Sequence, residues 1–114
     1  MFGTRKISDV DVQEAAGLGR GGVVLVDVRE DDEWEAGHAP DAVHVPLGEV
    51  GKAAGRFADR RVMVVCRSGN RSAKAAKALA GAGVEVTNVA GGMSSWAQAG
   101  LPVVRNDGTP GSVA

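Results

Sequence analysis

One cysteine, no tyrosine, two Trp and two Phe in 114 residues mark what this chain does without. A lone cysteine cannot form an intramolecular disulfide, so a hydrophobic core has to hold the fold. With only two histidines beside it, His38 and His44, it is also too little for a Cys- and His-rich zinc site. So few aromatic rings argue against a surface that stacks bases. Net charge is nearly absent: thirteen Lys and Arg against fourteen Asp and Glu leave −1. That balance supplies no overall field toward nucleic acid or an anionic membrane. Long hydrophobic runs are missing as well. The longest, 23–26 and 62–66, fall far short of the ~20 residues that span a bilayer. The first residues, MFGTRKISDV, carry a basic pair with no apolar stretch behind it. No secretory signal is therefore expected, and a reducing cytoplasm is the expected compartment.

What remains is ordinary globular material. Hydrophobic residues make up 44% of the chain. A domain of this length buries roughly 65% of its unfolded surface, enough to fold without staples. Seventeen Gly and four Pro stay below the level of a low-complexity chain.

Residues 8–16 read as a short helix capped by Ser8, with Asp9 and Asp11 at its positive end and Gly17 as its stop. The next stretch, GLGRGG at 17–22, contains the letters G-x-G-x-x-G. A dinucleotide loop needs a strand before it and a helix after it. Here the order is reversed, so the stretch reads as a flexible connection and no cofactor is assigned. Residues 23–28 are nearly continuous Val and Leu, the mark of a strand covered on both faces. Further strands are expected at 62–65 and 84–89, and a brief one in AVHV at 42–45. Helices are expected at 30–36, anchored by Trp34 and closed by Gly37, and at 47–58, interrupted by Gly51 and Gly55. Two more follow at 72–80, with Ala73, Ala76, Leu79 and Ala80 inward, and at 93–99, with Trp96 in the core. Buried strands alternating with short helices indicate an α/β layer sandwich with a mainly parallel sheet. In such sheets ligands bind beyond the carboxyl ends of the strands. Two polar segments stand there: 27–30, and Cys66 onward.

The second segment, CRSGNRS at 66–72, carries the chemistry. A cysteine closes a buried strand, a polar loop with one glycine follows, and a helix begins. The amides of 67–71 can curl into an anion-binding nest, with the positive end of the helix behind it. Arg67 and Arg71 add two cations. Each of these favours thiolate over thiol. A strand-end cysteine otherwise reads as a small hydrophobe, but packing gives no reason for two arginines and a glycine around it. Cys66 is read as a nucleophile.

The loop Cys66-Arg67-Ser68-Gly69-Asn70-Arg71-Ser72 resembles the active-site loop C-R-x-G-x-R-[ST] of rhodanese-type sulfurtransferases. Three other segments agree in order: Val26-Asp27-Val28-Arg29-Glu30, then Gly37-His38-Ala39-Pro40-Asp41-Ala42 with His44-Val45-Pro46-Leu47, then Gly91-Gly92-Met93-Ser94-Ser95-Trp96 with Gly100-Leu101-Pro102-Val103. Ala39 and Asp41 depart from the usual Ile and Gly of that family. The resemblance covers about 7–103. It implies a three-layer α/β/α sandwich of about five strands over 1–104, and the Gly-, Ser- and Pro-bearing stretch at 105–114 reads as a flexible C-terminal tail. The resemblance also implies a reaction without metal or cofactor. Cys66 takes a sulfur from a small sulfur-containing anion such as thiosulfate and passes it, as a persulfide, to cyanide, a thiol or a protein acceptor. Arg67, Ser68, Gly69, Asn70, Arg71 and Ser72 then bind substrate, Arg71 lining the cradle and Arg67 facing the mouth. Ser72 either caps the helix or bonds the sulfur. Asp27 and Arg29 either shape the pocket or pair to hold the strand end. His38 and His44 read as hydrogen-bonding struts.

Three other readings compete. Cysteine-dependent phosphatases use C-x5-R, whereas Cys66 and Arg71 give C-x4-R, a tighter ring suited to one sulfur atom. An arsenate-reductase relay needs a second thiol, which this chain lacks. The third possibility is a non-catalytic module using the same fold for binding. Such chains commonly lose the cysteine or a loop arginine, and both remain here.

Overall fold

The computed structural model describes residues 7–114. Its centre is a five-stranded sheet, built from β1 (Asp9–Val10), β2 (Val24–Asp27), β3 (Val43–His44), β4 (Arg61–Val65) and β5 (Glu85–Val89). The strands lie in the order β1-β5-β4-β2-β3 and every pairing is parallel. Among the described residues, four α-helices connect them, α1 (Val12–Arg20), α2 (Asp31–Ala36), α3 (Val50–Ala53) and α4 (Asn70–Gly81), and α5 (Gly92–Gln98) follows β5. Single 3-10 turns, Leu47–Glu49 and Ala54–Phe57, flank α3.

Alternation along the central strands sends neighbouring side chains to opposite faces. Val26, Val28, Val62 and Val64 bury one core against Val50, Phe57, Ala75, Ala76 and Leu79. Leu25, Met63, Val65 and Val89 bury the other against Ala15, Met93 and Trp96. Two cores on one sheet make the expected three-layer α/β/α sandwich. Each large side chain closed off in this way, such as Leu79 or Met93, contributes about 1.5–3 kcal/mol. Among the described residues no helix is long and apolar enough to cross a membrane.

The strand order places the chemistry. From β2 the chain moves outward to β3, and from β4 it moves the other way to β5. The crevice between the carboxyl ends of β2 and β4 is thus the switch point at which open α/β sheets bind ligands. Asp27 pairs in register with Val65, so Cys66 follows β4 beside the turn that leaves β2.

Four expectations are corrected. The first helix starts at Val12, because Asp9 and Val10 are drawn out as an edge strand against Asn88 and Val89. Asp11, not Ser8, is the cap, accepting from the Glu14 amide at 2.8 Å. Gly17 and Gly19 lie inside that helix, which runs to Arg20, so only Gly21 and Gly22 of the glycine-rich stretch form the turn. In α4 the inward stripe is Ser72, Ala75, Ala76 and Leu79, the i, i+3, i+4, i+7 set of a helix that begins at Asn70. Ala73 and Ala80 are only half-buried. The composition-based stripe missed this phase by leaving out a buried serine.

After Val104 the backbone keeps specific hydrogen bonds, within the segment and to the rest of the domain. Arg105 N–H donates to Thr109, Gly111 N–H to Val103, and Ser112 N–H to Ala36, all between 2.8 and 2.9 Å. Gly111 packs too closely for a side chain, since a Cβ there would lie 2.8 Å from the Ala36 carbonyl.

Candidate functional site

β4 ends at Val65, and the backbone turns immediately at Cys66. Two features shape the turn. Gly69 has φ +120°, a conformation L side chains rarely adopt, which lets the loop fold back over the cysteine. Gly91 and Gly92 open α5 directly beneath it, and the Met93 and Ser94 amides donate to the carbonyls of Cys66 and Arg67 at 2.8 and 3.0 Å. Gly92 has no alternative here. A Cβ would be 2.5 Å from the Arg67 oxygen and would collide with the Cys66 oxygen. The carbonyls of Cys66 and Arg67 therefore point down into α5, on the side away from the sulfur-binding amide of Gly69.

Cys66 is buried, but its sulfur has polar neighbours. Gly69 N–H donates to Sγ at 3.0 Å and the Ser72 hydroxyl lies 3.3 Å away. Burial alone pushes the thiol pKa up. The Ser72 hydroxyl and the Ser72, Gly69 and Ser68 amides outweigh it, so the net shift is downward from the ordinary thiol value. Of the nest expected from the sequence, the Gly69 amide is the one that hydrogen-bonds the sulfur, joined by the Ser72 hydroxyl. Of the two roles left open for Ser72, the cap falls to Gly69, with no side chain capping α4, and the Ser72 hydroxyl lies against the sulfur. That hydroxyl also donates to the Gly69 carbonyl at 3.1 Å, within the first turn of α4.

The arginines are engaged elsewhere. Arg71 makes a two-pronged bond to Glu33 of α2, Nη1 to Oε1 at 2.6 Å and Nη2 to Oε2 at 2.8 Å. The guanidinium holds the Glu33 carboxyl down at about 2, and the carboxylate raises Arg71 in turn. Arg67 is exposed, with Nε donating to the Ala114 carbonyl at 2.8 Å. Ser68 and Asn70 are exposed on the loop's outer side.

Asp27 and Arg29 are fully buried and bind each other, Nη2 to Oδ2 at 2.8 Å and Nε to Oδ1 at 3.0 Å. Arg29 also donates from Nη2 to the Gly37 carbonyl at 2.7 Å, tying the end of β2 to the end of α2. His38 and His44 donate to the carbonyls of Trp34 and Arg29 at 2.9 and 2.8 Å. Both rings stack on Trp34, at centroid distances of 3.5 and 4.7 Å. Trp96 is core, its Nε1 donating to the Pro102 carbonyl at 2.8 Å.

Glu33 escaped the sequence reading, and Gly92 entered it only within the resemblance, with no role. Glu33 had a signal: with Glu30 it forms a capping box, the pattern of an acid three residues into a helix. For Gly92 only the contact with the Cys66 loop reveals the need. A cavity of about 580 Å³ lies away from the cysteine among Ala15, Leu25, Phe57, Met63 and Trp96. It holds no nucleophile, so chemistry rather than size locates the site.

The sequence pattern of the rhodanese-like domain matches residues 12–99. An uncharacterised protein of Synechocystis is 40% identical over 93 residues, which are 80% of this chain and 52% of that protein. A sulfurtransferase of Allochromatium vinosum is 39% identical over 88 residues, covering 75% of this chain and 82% of the relative. The chain thus spans about half the length of the first and most of the second. Among solved structures, a rhodanese-related protein of Thermoplasma volcanium superposes with a TM-score of 0.79 at 28% identity, over 85% of this chain and 97% of that one. In sequence pattern, relatives and backbone alike, this chain belongs to the rhodanese-like domain family.

Proposed function

We propose that this chain is a sulfurtransferase that carries sulfane sulfur on Cys66. The Cys66 thiolate attacks the outer sulfur of an anionic donor such as thiosulfate. The S–S bond of the donor breaks, sulfite leaves with the bonding pair, and a Cys66 persulfide anion remains. A thiophilic acceptor, cyanide or a thiolate, then attacks the terminal sulfur and returns Cys66 as thiolate. No electrons are gained from or lost to an outside agent in either half. The amides of Ser68, Gly69 and Ser72 hold the sulfur anion as an oxyanion hole holds a developing negative oxygen. Arg67 and Arg71 flank the loop and favour approach of an anion, while Asn70 and Ser68 form its outer surface. Asp27 and Arg29 brace the neighbouring strand end. The domain assigned this activity is 1–104, within which the family pattern spans 12–99.

The observation that carries the reading is the Gly69 amide donating to Cys66 Sγ at 3.0 Å with the Ser72 hydroxyl beside it. Packing alone would not place donors on a buried sulfur. The four-residue spacing to Arg71 makes the ring small, which disfavours a phosphate. Treatment with thiosulfate should add one sulfur atom to the chain by intact-protein mass spectrometry, removable by cyanide or dithiothreitol. Cys66→Ser should abolish the adduct and turnover while remaining folded. No adduct on the native chain, or Cys66-dependent hydrolysis of an aryl phosphate, would overturn the proposal.

A further inference from the structure

Arg71 and Glu33 form more than a loose surface pair. Both carboxylate oxygens are used, at 2.6 and 2.8 Å, and Glu33 is itself fixed because the Glu30 amide donates to Oε1 at 3.0 Å. The carboxylate side is mostly buried, with 16% of the side chain exposed against 33% for Arg71. The pair spans two elements that leave neighbouring strands, α2 after β2 and α4 after β4. It therefore crosses the crevice in which the sulfur lies.

We infer that Glu33 is a positioning residue of the site: by holding Arg71 it sets how much positive charge the Cys66 sulfur faces. The kinetic part of this inference rests on the sulfurtransferase reading, whereas the part concerning the thiol does not.

The charges around the sulfur can be followed element by element. On the loop and α4 stand Arg67, turned to the Ala114 carbonyl, and Arg71. From α2 come Glu33 and, at its cap, Glu30, while Asp31, Asp32 and Glu35 of α2 and Lys74 and Lys77 of α4 are exposed to solvent. From the end of β2 come Asp27 and Arg29, which neutralise each other. The α5 segment that supports the loop, Gly92–Gln98, contains no charged residue. Arg71 is thus the cation whose effective charge depends on one partner. Arg71 stands in the first turn of α4, five residues after Cys66, and a charged sulfur there favours its charged form. Neutralising Glu33 would release a full positive charge toward the sulfur. A freed Arg71 would hold an incoming anion more tightly and would also stabilise the persulfide anion. Capture would then gain and hand-off would lose. The Glu33 carboxylate keeps the bound sulfur anion from resting too deep, so that it stays ready to leave.

Glu33→Gln keeps the length of the side chain and removes its charge. The rate of Cys66 alkylation by iodoacetamide, followed against pH, should show its midpoint lowered by about 0.5–1 unit. Arg71→Gln, which leaves the carboxylate unopposed, should raise the midpoint instead. The double variant should return it close to that of the native chain. In the thiosulfate–cyanide reaction Glu33→Gln should lower KM for thiosulfate and lower kcat, a split that a purely structural role does not produce. An unmoved midpoint in Glu33→Gln, or shifts of the same sign in both single variants, would overturn the inference. If Glu33→Gln fails to fold, the direction of the Arg71→Gln shift still decides, a fall or no change overturning it. Midpoints that move as described in a protein forming no sulfur adduct would sink the sulfurtransferase reading and leave the Glu33 role standing.

Discussion

Ser72→Ala tests the stabilisation of the sulfur most directly. Oγ lies 3.3 Å from Cys66 Sγ and 3.1 Å from the Gly69 carbonyl, and a hydroxyl has one proton to give. In the thiol state that proton goes to the carbonyl and the S–H can donate back to Oγ. In the thiolate state the hydroxyl turns and donates to sulfur. Gly69 O does not become unpaired, because the Ala73 amide also reaches it at 3.1 Å. The turn is therefore cheap. A hydrogen bond to a charged group contributes about 1.5–3 kcal/mol and a neutral one about 0.5–1.5 kcal/mol. The thiolate thus gains about 1–1.5 kcal/mol over the thiol, and one pKa unit corresponds to about 1.4 kcal/mol. Removing the hydroxyl should raise the midpoint of Cys66 alkylation by about one pH unit. Fold stability at neutral pH should change by less than about 1 kcal/mol, since the space left is that of one oxygen. A second signature follows from linkage. The folded thiol is held below its unfolded value. The thiolate's contribution to stability is therefore fully present above the unfolded pKa, about 8.5, and is lost as pH falls through the folded one. Ser72→Ala should shrink that gain, as measured by urea unfolding at a series of pH values. An alkylation midpoint that stays in place or falls would refute the assignment of Ser72 as a donor to sulfur.

Two further substitutions probe what supports the loop. Asp27→Asn leaves the buried Arg29 guanidinium without its counter-charge, and breaking such a pair costs about 3–5 kcal/mol; calorimetry should show a large fall in Tm. A loss below about 1 kcal/mol would mean that the Arg29 bond to the Gly37 carbonyl holds this turn by itself. Gly92→Ala drives a Cβ into the Cys66 and Arg67 backbone, so it should disturb the loop and raise the alkylation midpoint. Gly100→Ala is the matched control, because it too has positive φ but nothing within 4 Å, and should cost only about 1 kcal/mol. Equal effects from the two glycines would remove the case for a contact requirement at Gly92.

How far the sequence reaches depends on the range of the interaction. The central strands are legible because Val24 to Asp27 and Arg61 to Val65 are almost continuously apolar, and burial on both faces demands that composition. The position of Cys66 at a strand end follows from the same run. β1 is not legible: two residues, Asp9 and Val10, take up strand geometry through partners at 88 and 89, about eighty positions away. No local propensity encodes that pairing. The same limit applies to Arg71. Its type and spacing announce a site, but its direction is set by Glu33, thirty-eight residues earlier on another helix. Gly69 can be read locally, since a loop that reverses over a strand end calls for positive φ. Gly92 cannot, because the atoms it must avoid belong to residues 66 and 67.

This division bears on what stabilises the sulfur. In sequence, the two arginines are the conspicuous feature of the loop, and they suggest a site whose anion affinity comes from side-chain cations. In the fold, one arginine is neutralised by Glu33 and the other reaches a backbone carbonyl. What faces the sulfur is peptide N–H and one hydroxyl. The two designs differ in consequence. A cation attracts any anion, and its attraction falls with added salt. Fixed amides at 3 Å favour a small anion in one place and are little affected by salt. A sulfurtransferase has to hold the sulfur in the first half-reaction and release it in the second. Directional donors on a rigid strand-to-helix turn, with the nearby cation held in check by a carboxylate, meet both needs better than a free arginine would.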